Sequence, residues 1–196
     1  MYYPVVLNIT DSKITIVGAG KVAFRKCKTL IELGKSVTVV GKYILDNFYD
    51  LENNIKIIES EFDTSFIEDS SIVIAATNDK ELNRSIGLYC KENNKLVNVV
   101  DDIELSNFTV PSFFKKGDLM ISVSTGGKSP ALSAKIKSDL EKKYDDEFIE
   151  YLDLLGRLRV KIMESEKNIQ KRNNMLKRLV YLSLGELKEV SIKFNL

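Results

Sequence analysis

The sequence predicts an α/β fold in which a parallel sheet with helices on both faces is followed by a more helical architecture. Three observations support this prediction. Short apolar runs alternate with helical stretches up to about residue 100. A glycine-rich turn follows the first of these runs, and longer helical stretches dominate after residue 101. Continuously apolar strands that alternate with helices are typical of parallel sheets buried on both faces.

The first part of the chain contains predicted strands wherever β-branched and other apolar residues cluster. A helix starts at Lys21 and ends before Gly34, because glycine commonly terminates a helix. A second helix starts at a cap provided by Asn78 or Asp79 and ends at Glu92. The predicted strands are 14–17, 36–40, 55–58, 71–76 and 96–100.

After residue 101 the pattern changes to a strand pair followed by helices. Gly117 lies in a turn between two apolar strands, and a polar, glycine-rich loop comes next. Ser129 followed by Pro130 is typical of the start of a helix. The predicted segments are strands at 108–114 and 119–124, a loop at 125–130, and helices at 131–144, 145–169 and 173–190.

Composition excludes several classes of function. The 196 residues are 44% hydrophobic, and 29 Lys and Arg against 28 Asp and Glu give a net charge of +1, which favours neither nucleic acid nor an anionic membrane as a partner. The chain has two cysteines and no histidine, so a zinc site, a disulfide framework and imidazole catalysis are not expected. No signal peptide and no apolar run of about 20 residues is seen, and we expect a cytoplasmic protein.

A glycine fingerprint lies between the first strand and the first helix. Gly18, Gly20 and Ala23 form the pattern G-x-G-x-x-A. In a Rossmann-like domain this pattern allows a tight turn, a close approach of the backbone to a pyrophosphate, and close packing of helix on strand. A dinucleotide site is therefore predicted, and a purely structural strand-turn-helix is the alternative.

Four separated segments resemble one enzyme family. They are 18–26, 74–79, 97–102 and 124–131, and their order and spacing are similar to those of precorrin-2 dehydrogenases. That family includes bifunctional sirohydrochlorin ferrochelatases and the N-terminal module of sirohaem synthases. The resemblance covers roughly residues 1–145.

The resemblance implies an oxidoreductase that converts precorrin-2 to sirohydrochlorin with NAD, in sirohaem or cobalamin biosynthesis. Some members also insert iron, and whether this chain does so is left open. The family forms homodimers. The implied domains are an NAD-binding Rossmann-like domain at 1–112, a dimerisation segment at 113–144 and a helical C-terminal domain at 145–196.

The resemblance also implies where the cofactor lies. Residues 18–22 would hold the pyrophosphate, 42–43 the adenosine, and 76–77 would leave room near the nicotinamide. The acidic residue usual at the end of the second strand is replaced by Val40 and Gly41. The choice of NAD rather than NADP as the cofactor therefore rests on the resemblance. Lys42 is either a ligand of a 2′-phosphate or a solvated lysine. The predicted cofactor residues are Gly18, Ala19, Gly20, Lys21, Val22, Lys42, Tyr43, Ala76, Thr77 and Asn98.

The predicted catalytic residue is Asp101, which follows an apolar strand at the edge of the sheet where ligands gather. The family assigns this aspartate to the chemistry, and a carboxylate base near the nicotinamide suits loss of a proton and a hydride. Asn98 is expected to orient Asp101 or the nicotinamide. A loop or helix-capping role for Asp101 is the alternative. No metal site is predicted.

The predicted substrate-binding loop offers backbone donors, two hydroxyls and a lysine, which suit the carboxylates of precorrin-2. A tight turn that leads into the next helix is the alternative reading. Two other functions remain open: a non-catalytic NAD(H)-sensing regulatory module, and a dehydrogenase for another small metabolite. The residues of the loop are Thr125, Gly126, Gly127, Lys128 and Ser129.

Overall fold

The computed structural model describes residues 2–196, apart from the side chain of residue 52. The chain divides into two compact units, one ending at Thr109 and the other beginning at Val110. None of the helices in this described range is both long and apolar enough to cross a membrane.

The first unit is a five-stranded parallel sheet with helices, which confirms the predicted Rossmann-like fold. The strand order is β3-β2-β1-β4-β5. Strands β2 and β3 are added on one side of β1 and strands β4 and β5 on the other, so the order of addition reverses between β1 and β4. Ligands of such sheets bind at this reversal, beyond the carboxyl ends of the strands. The elements are β1 (Ile14–Val17), α1 (Lys21–Glu32), β2 (Val37–Gly41), β3 (Ile55–Glu59), β4 (Ile72–Ala75), α2 (Lys80–Glu92) and β5 (Leu96–Val99).

Side chains alternate between two cores on opposite faces of this sheet. On one face Ile16 and Val39 pack with Ala23 and Cys27 of α1. On the other face Val73 and Val97 pack with residues of α2. Because both faces are covered, most residues of the strands are apolar, and the ends of the sheet are left to bind a ligand.

The second unit contains an antiparallel strand pair and a set of helices with a separate core. The strands β6 (Ser112–Lys116) and β7 (Leu119–Val123) meet at Gly117, whose φ is +54°. The first of them starts later than predicted, because Pro111 has no N–H to donate to a ladder. The helices are α3 (Pro130–Lys143), α4 (Asp146–Ser165), α5 (Ile169–Leu179) and α6 (Leu184–Lys193).

The predicted single helix at 173–190 is wrong, because two helices occupy this part of the chain. Ser183 and Glu186 form a capping box: the Glu186 carboxylate accepts from the Ser183 backbone N–H at 2.7 Å, and the Ser183 hydroxyl accepts from the Glu186 N–H at 3.3 Å. These bonds start a new helix at this point. In the same way Asn168 caps α5, so the helix predicted at 145–169 ends at Ser165.

Candidate functional site

The glycine turn after β1 is shaped by the strands on either side of it. Gly18 has a φ of +106°, and its N–H donates to the carbonyl of Val40 in β2 at 2.7 Å. A Cβ at Gly18 would collide with the carbonyl group of Ala76, directly after β4, and would lie 2.8 Å from the Thr77 nitrogen. Only glycine therefore allows the turn to pass between the ends of β2 and β4.

The N-terminus of α1 is left without a side-chain cap. Gly20 is the N-cap, no side chain accepts from the first turn, and that turn contains no acidic residue. A Cβ at Gly20 would meet nothing within 4 Å. An uncapped helix N-terminus with open space beside its N-cap residue is an arrangement that binds a phosphate. In the described part of the chain, each other α-helix has a side-chain cap: Asp79, Ser129, Asp145, Asn168 and Ser183.

A cavity of about 640 Å³ opens over this turn. It brings together seven of the ten predicted cofactor residues and leaves out Lys21, Val22 and Asn98. Its size and the uncapped helix fit a dinucleotide. The predicted residues in its wall are Gly18, Ala19, Gly20, Lys42, Tyr43, Ala76 and Thr77.

Glu61 also lines the cavity, and the sequence-based reasoning missed it. Lys42 Nζ donates to Glu61 Oε1 at 2.6 Å. The hydrogen bond and the charge of Glu61 raise the pKa of Lys42, and those of Lys42 lower the pKa of Glu61, so both groups are charged at neutral pH. Lys42 is therefore an ion-paired residue in the cavity wall.

Asp101 is exposed and lies outside the cavity wall, but a buried amide connects it to that wall. Asn83 of α2 is 1% exposed, and its Nδ2 donates to Asp101 Oδ1 at 3.1 Å and to the Thr77 carbonyl at 3.1 Å. Asn83 Oδ1 accepts from the Thr77 N–H at 3.1 Å and from the Thr77 hydroxyl at 2.7 Å. Because all four hydrogen-bonding positions of the amide are filled, its orientation is set.

Of the two roles predicted for Asn98, a contact with Asp101 is not seen among the described residues, and orientation of the nicotinamide stays a prediction. Asn98 is buried in β5, and its amide donates to the carbonyl of Phe108 at 3.4 Å. Asn83 orients Asp101 instead. A sequence signal for Asn83 exists: it lies at helical spacing with Ile86 and Cys90 on the buried face of α2, where an amide needs a polar partner.

The predicted substrate loop belongs to the second unit and begins α3. Thr125 Oγ1 accepts from the Ser129 N–H at 3.1 Å and donates to the Ser129 carbonyl at 3.0 Å. Ser129 Oγ in turn accepts from the Leu132 N–H at 3.2 Å. Gly126 and Gly127 have φ values of +62° and +81°. Both hydroxyls thus hold the turn itself, and substrate binding by Thr125, Gly126, Gly127, Lys128 and Ser129 stays a prediction.

The two cysteines do not belong to this site. Cys27 and Cys90 are free and buried, and burial raises the pKa of each thiol to about 11. Such thiols are inert at neutral pH. Among residues whose side chains the structure describes, no three His, Cys, Asp or Glu residues are grouped closely enough to hold a metal.

Comparison with protein families identifies the first unit. The model described as "Putative NAD(P)-binding" matches residues 5–112, more than half of the chain. The chain belongs to this NAD(P)-binding family. A second model, described as sirohaem biosynthesis protein central, matches residues 116–143.

Individual relatives agree with both models. A siroheme synthase of Ruthia magnifica subsp. Calyptogena magnifica is 31% identical over 87% of this chain, and one of Tolumonas auensis (strain DSM 9187 / NBRC 110442 / TA 4) is also 31% identical over 87%. The chain spans 37% and 36% of the length of these relatives. A precorrin-2 dehydrogenase of Priestia megaterium is 26% identical over 91% of this chain and 89% of its own length.

A solved structure has the same architecture along the whole chain. It is described as SirC, precorrin-2 dehydrogenase, and it matches with a TM-score of 0.79 and 25% identity over 99% of both chains. The predicted resemblance to precorrin-2 dehydrogenases and sirohaem synthases is confirmed.

Proposed function

We propose that this protein is an NAD-dependent precorrin-2 dehydrogenase. The observation that carries the proposal is the match to a precorrin-2 dehydrogenase over 91% of this chain and 89% of the relative. The cavity over the uncapped N-terminus of α1 supports a dinucleotide cofactor. The aspartate tied to the wall of that cavity supports a reaction that also releases a proton.

The proposed mechanism divides the two hydrogens that leave precorrin-2. A bound NAD⁺ would supply the acceptor for the first of them, which leaves as a hydride. Asp101 accepts the other as a proton. Asn83 donates to Oδ1 of Asp101, so Oδ2 is the oxygen that would accept the proton. The backbone N–H groups of Lys21 and Val22 at the start of α1 would hold the pyrophosphate, although neither residue lines the cavity wall.

An anaerobic assay of the full chain tests this function. Incubation with precorrin-2 and NAD⁺ should give one NADH for each sirohydrochlorin formed. The absorbance of each product measures its amount. NAD⁺ binding without turnover would instead support a regulatory module. Turnover of a different small metabolite would support a dehydrogenase of another class. Addition of Fe²⁺ after the oxidation tests for metal insertion, which stays a prediction.

Gly20 offers a prediction that separates binding from folding. Its backbone has a φ of −90°, which any residue adopts, and an added methyl meets no protein atom within 4 Å. Gly20→Ala should therefore change the free energy of unfolding by less than about 1 kcal/mol. The methyl would fill the space next to the pyrophosphate and weaken NAD⁺ binding by about tenfold or more. Calorimetric titration and urea denaturation of both proteins measure the two effects, and unchanged affinity would contradict the placement of the phosphates.

We also propose a homodimer in solution. The β6–β7 pair is a two-stranded sheet within the described residues, with one open edge on each strand. α3 packs against both strands, and the open edges that remain favour pairing with a second copy. Light scattering should give a mass twice 22.2 kDa. A mass of one chain at micromolar concentration would contradict the proposal.

We propose that the protein is cytoplasmic. The free state and burial of Cys27 and Cys90 support a reducing compartment. Mass spectrometry after alkylation under denaturing conditions should find both thiols reduced in protein isolated from cells. Recovery of an oxidised fraction would contradict this location.

A further inference from the structure

The end of β2 lacks the carboxylate that most dinucleotide sites use to bind the adenosine ribose. In folds of this kind an acidic side chain about 20 residues after the glycine turn binds the ribose 2′-hydroxyl. Here Gly41 ends β2, and a Cβ on it would lie 3.0 Å from Ala19 Cβ and 3.3 Å from Ala19 N. The close approach of Ala19 leaves little room for a larger side chain. A carboxylate for the ribose therefore has to come from another segment.

The segment after β3 supplies one at the same place. The Ser60 N–H donates to the Gly41 carbonyl at 3.0 Å, which ties this segment to the end of β2. The next residue, Glu61, lines the cavity together with Lys42. The two side chains are 77% and 57% exposed, so their charged ends remain accessible to a ligand in the open cavity.

We propose that Glu61, oriented by Lys42, takes the place of the missing β2 carboxylate and makes the site select NAD over NADP. The inference rests on the proposed use of a nicotinamide dinucleotide. Glu61 Oε1 accepts from Lys42, and the carboxylate keeps further lone pairs for the ribose hydroxyls. The ribose hydroxyls of NAD can therefore donate to the Glu61 carboxylate.

A 2′-phosphate is disfavoured by the same pair. It carries a charge of about −1.5 to −2 at neutral pH and would face the Glu61 carboxylate. Its natural partner, Lys42, is already bonded to Glu61 at 2.6 Å. The Lys42 ammonium keeps two further N–H donors for a phosphate, but a 2′-phosphate bound there would place its negative charge next to the Glu61 carboxylate. Selection of NAD over NADP therefore arises from repulsion between Glu61 and the 2′-phosphate as well as from attraction between Glu61 and the ribose hydroxyls.

Titration of the full chain with NAD⁺ and with NADP⁺ tests the proposal by calorimetry, without any need for turnover. The wild type should bind NAD⁺ at least about tenfold more tightly than NADP⁺. Glu61→Gln frees Lys42 and should lower this ratio by about tenfold or more, mainly by a gain in NADP⁺ affinity. In the double variant Lys42→Gln, Glu61→Gln the gain for NADP⁺ should disappear.

Glu59→Gln is the matched control, because it removes the same charge two residues earlier, outside the cavity wall. It should leave the ratio unchanged. An unchanged ratio in Glu61→Gln, an equal shift in Glu59→Gln, or a wild type that prefers NADP⁺ would overturn the inference. Failure of the wild type to bind either nucleotide would overturn it together with the proposed cofactor. Selective NAD⁺ binding without precorrin-2 oxidation would support it while refuting the proposed reaction.

Discussion

Replacement of Asp101 by Asn should lower kcat for precorrin-2 oxidation by about 10²- to 10⁴-fold, the usual contribution of a general base. Asparagine has nearly the same shape but cannot accept the proton. Asp101 is exposed, and its recorded partner is the Asn83 amide at 3.1 Å, so the loss of charge should not disturb the fold. Stopped-flow or steady-state measurement of NADH formation gives kcat, and calorimetry should show unchanged NAD⁺ affinity.

Asp102→Asn is the matched control for this result. Asp102 is the adjacent carboxylate, and its Oδ1 accepts from the Glu104 N–H at 2.9 Å and from the Leu105 N–H at 3.1 Å. Its role is to hold the turn after β5, so kcat should fall by less than about tenfold in this variant. Equal losses of kcat in the two variants would show that Asp101 has no special part in the chemistry.

Gly18→Ala should destabilise the protein by about 3 kcal/mol or more and abolish nucleotide binding. The substitution is strained in two ways. The φ of +106° is unfavourable for any residue with a side chain, and the new Cβ would collide with the backbone of Ala76. The Ala76 backbone is held by the bond from its N–H to the Val17 carbonyl at 2.7 Å, so it cannot move aside as a flexible side chain can. Urea denaturation followed by circular dichroism gives the free energy of unfolding, and calorimetry with NAD⁺ gives the affinity.

Gly34→Ala separates the two sources of strain. Gly34 follows α1 with a φ of +80°, and a Cβ there would meet nothing within 4 Å. The variant should cost about 1 kcal/mol from backbone conformation alone and should bind NAD⁺ like the wild type. If both glycine variants lost the same stability, the predicted collision with Ala76 would be refuted.

Local patterns predicted most elements well. The run Ile14–Val17 is a strand because four consecutive β-branched residues, three of them apolar, suit a strand covered on both faces. Ser129 and Pro130 correctly indicated the start of α3. The break between α5 and α6 was missed because apolar residues continue at helical spacing across it, although the pattern of Ser183 and Glu186 is a recognisable capping box.

The candidate site was predicted only in part. The glycine turn could be predicted from the sequence because it depends on the spacing of a few neighbouring residues. The roles of Asn83 and Glu61 were not predicted, because each depends on a partner that is distant in the sequence. Asn83 meets Asp101 across 18 positions, and Glu61 meets Lys42 across 19.

The amino-acid sequence by itself determined the α/β class and the place of the dinucleotide turn, because strand patterning and the demand for glycine are local properties of the chain. Only the tertiary structure decided which charged and amide groups meet. Because all neighbouring strands pair in parallel, the carboxyl ends of the five strands lie along one edge of the sheet. Segments that are distant in sequence thereby become neighbours, and their side chains form the ion pair at Lys42 and the amide bridge to Asp101.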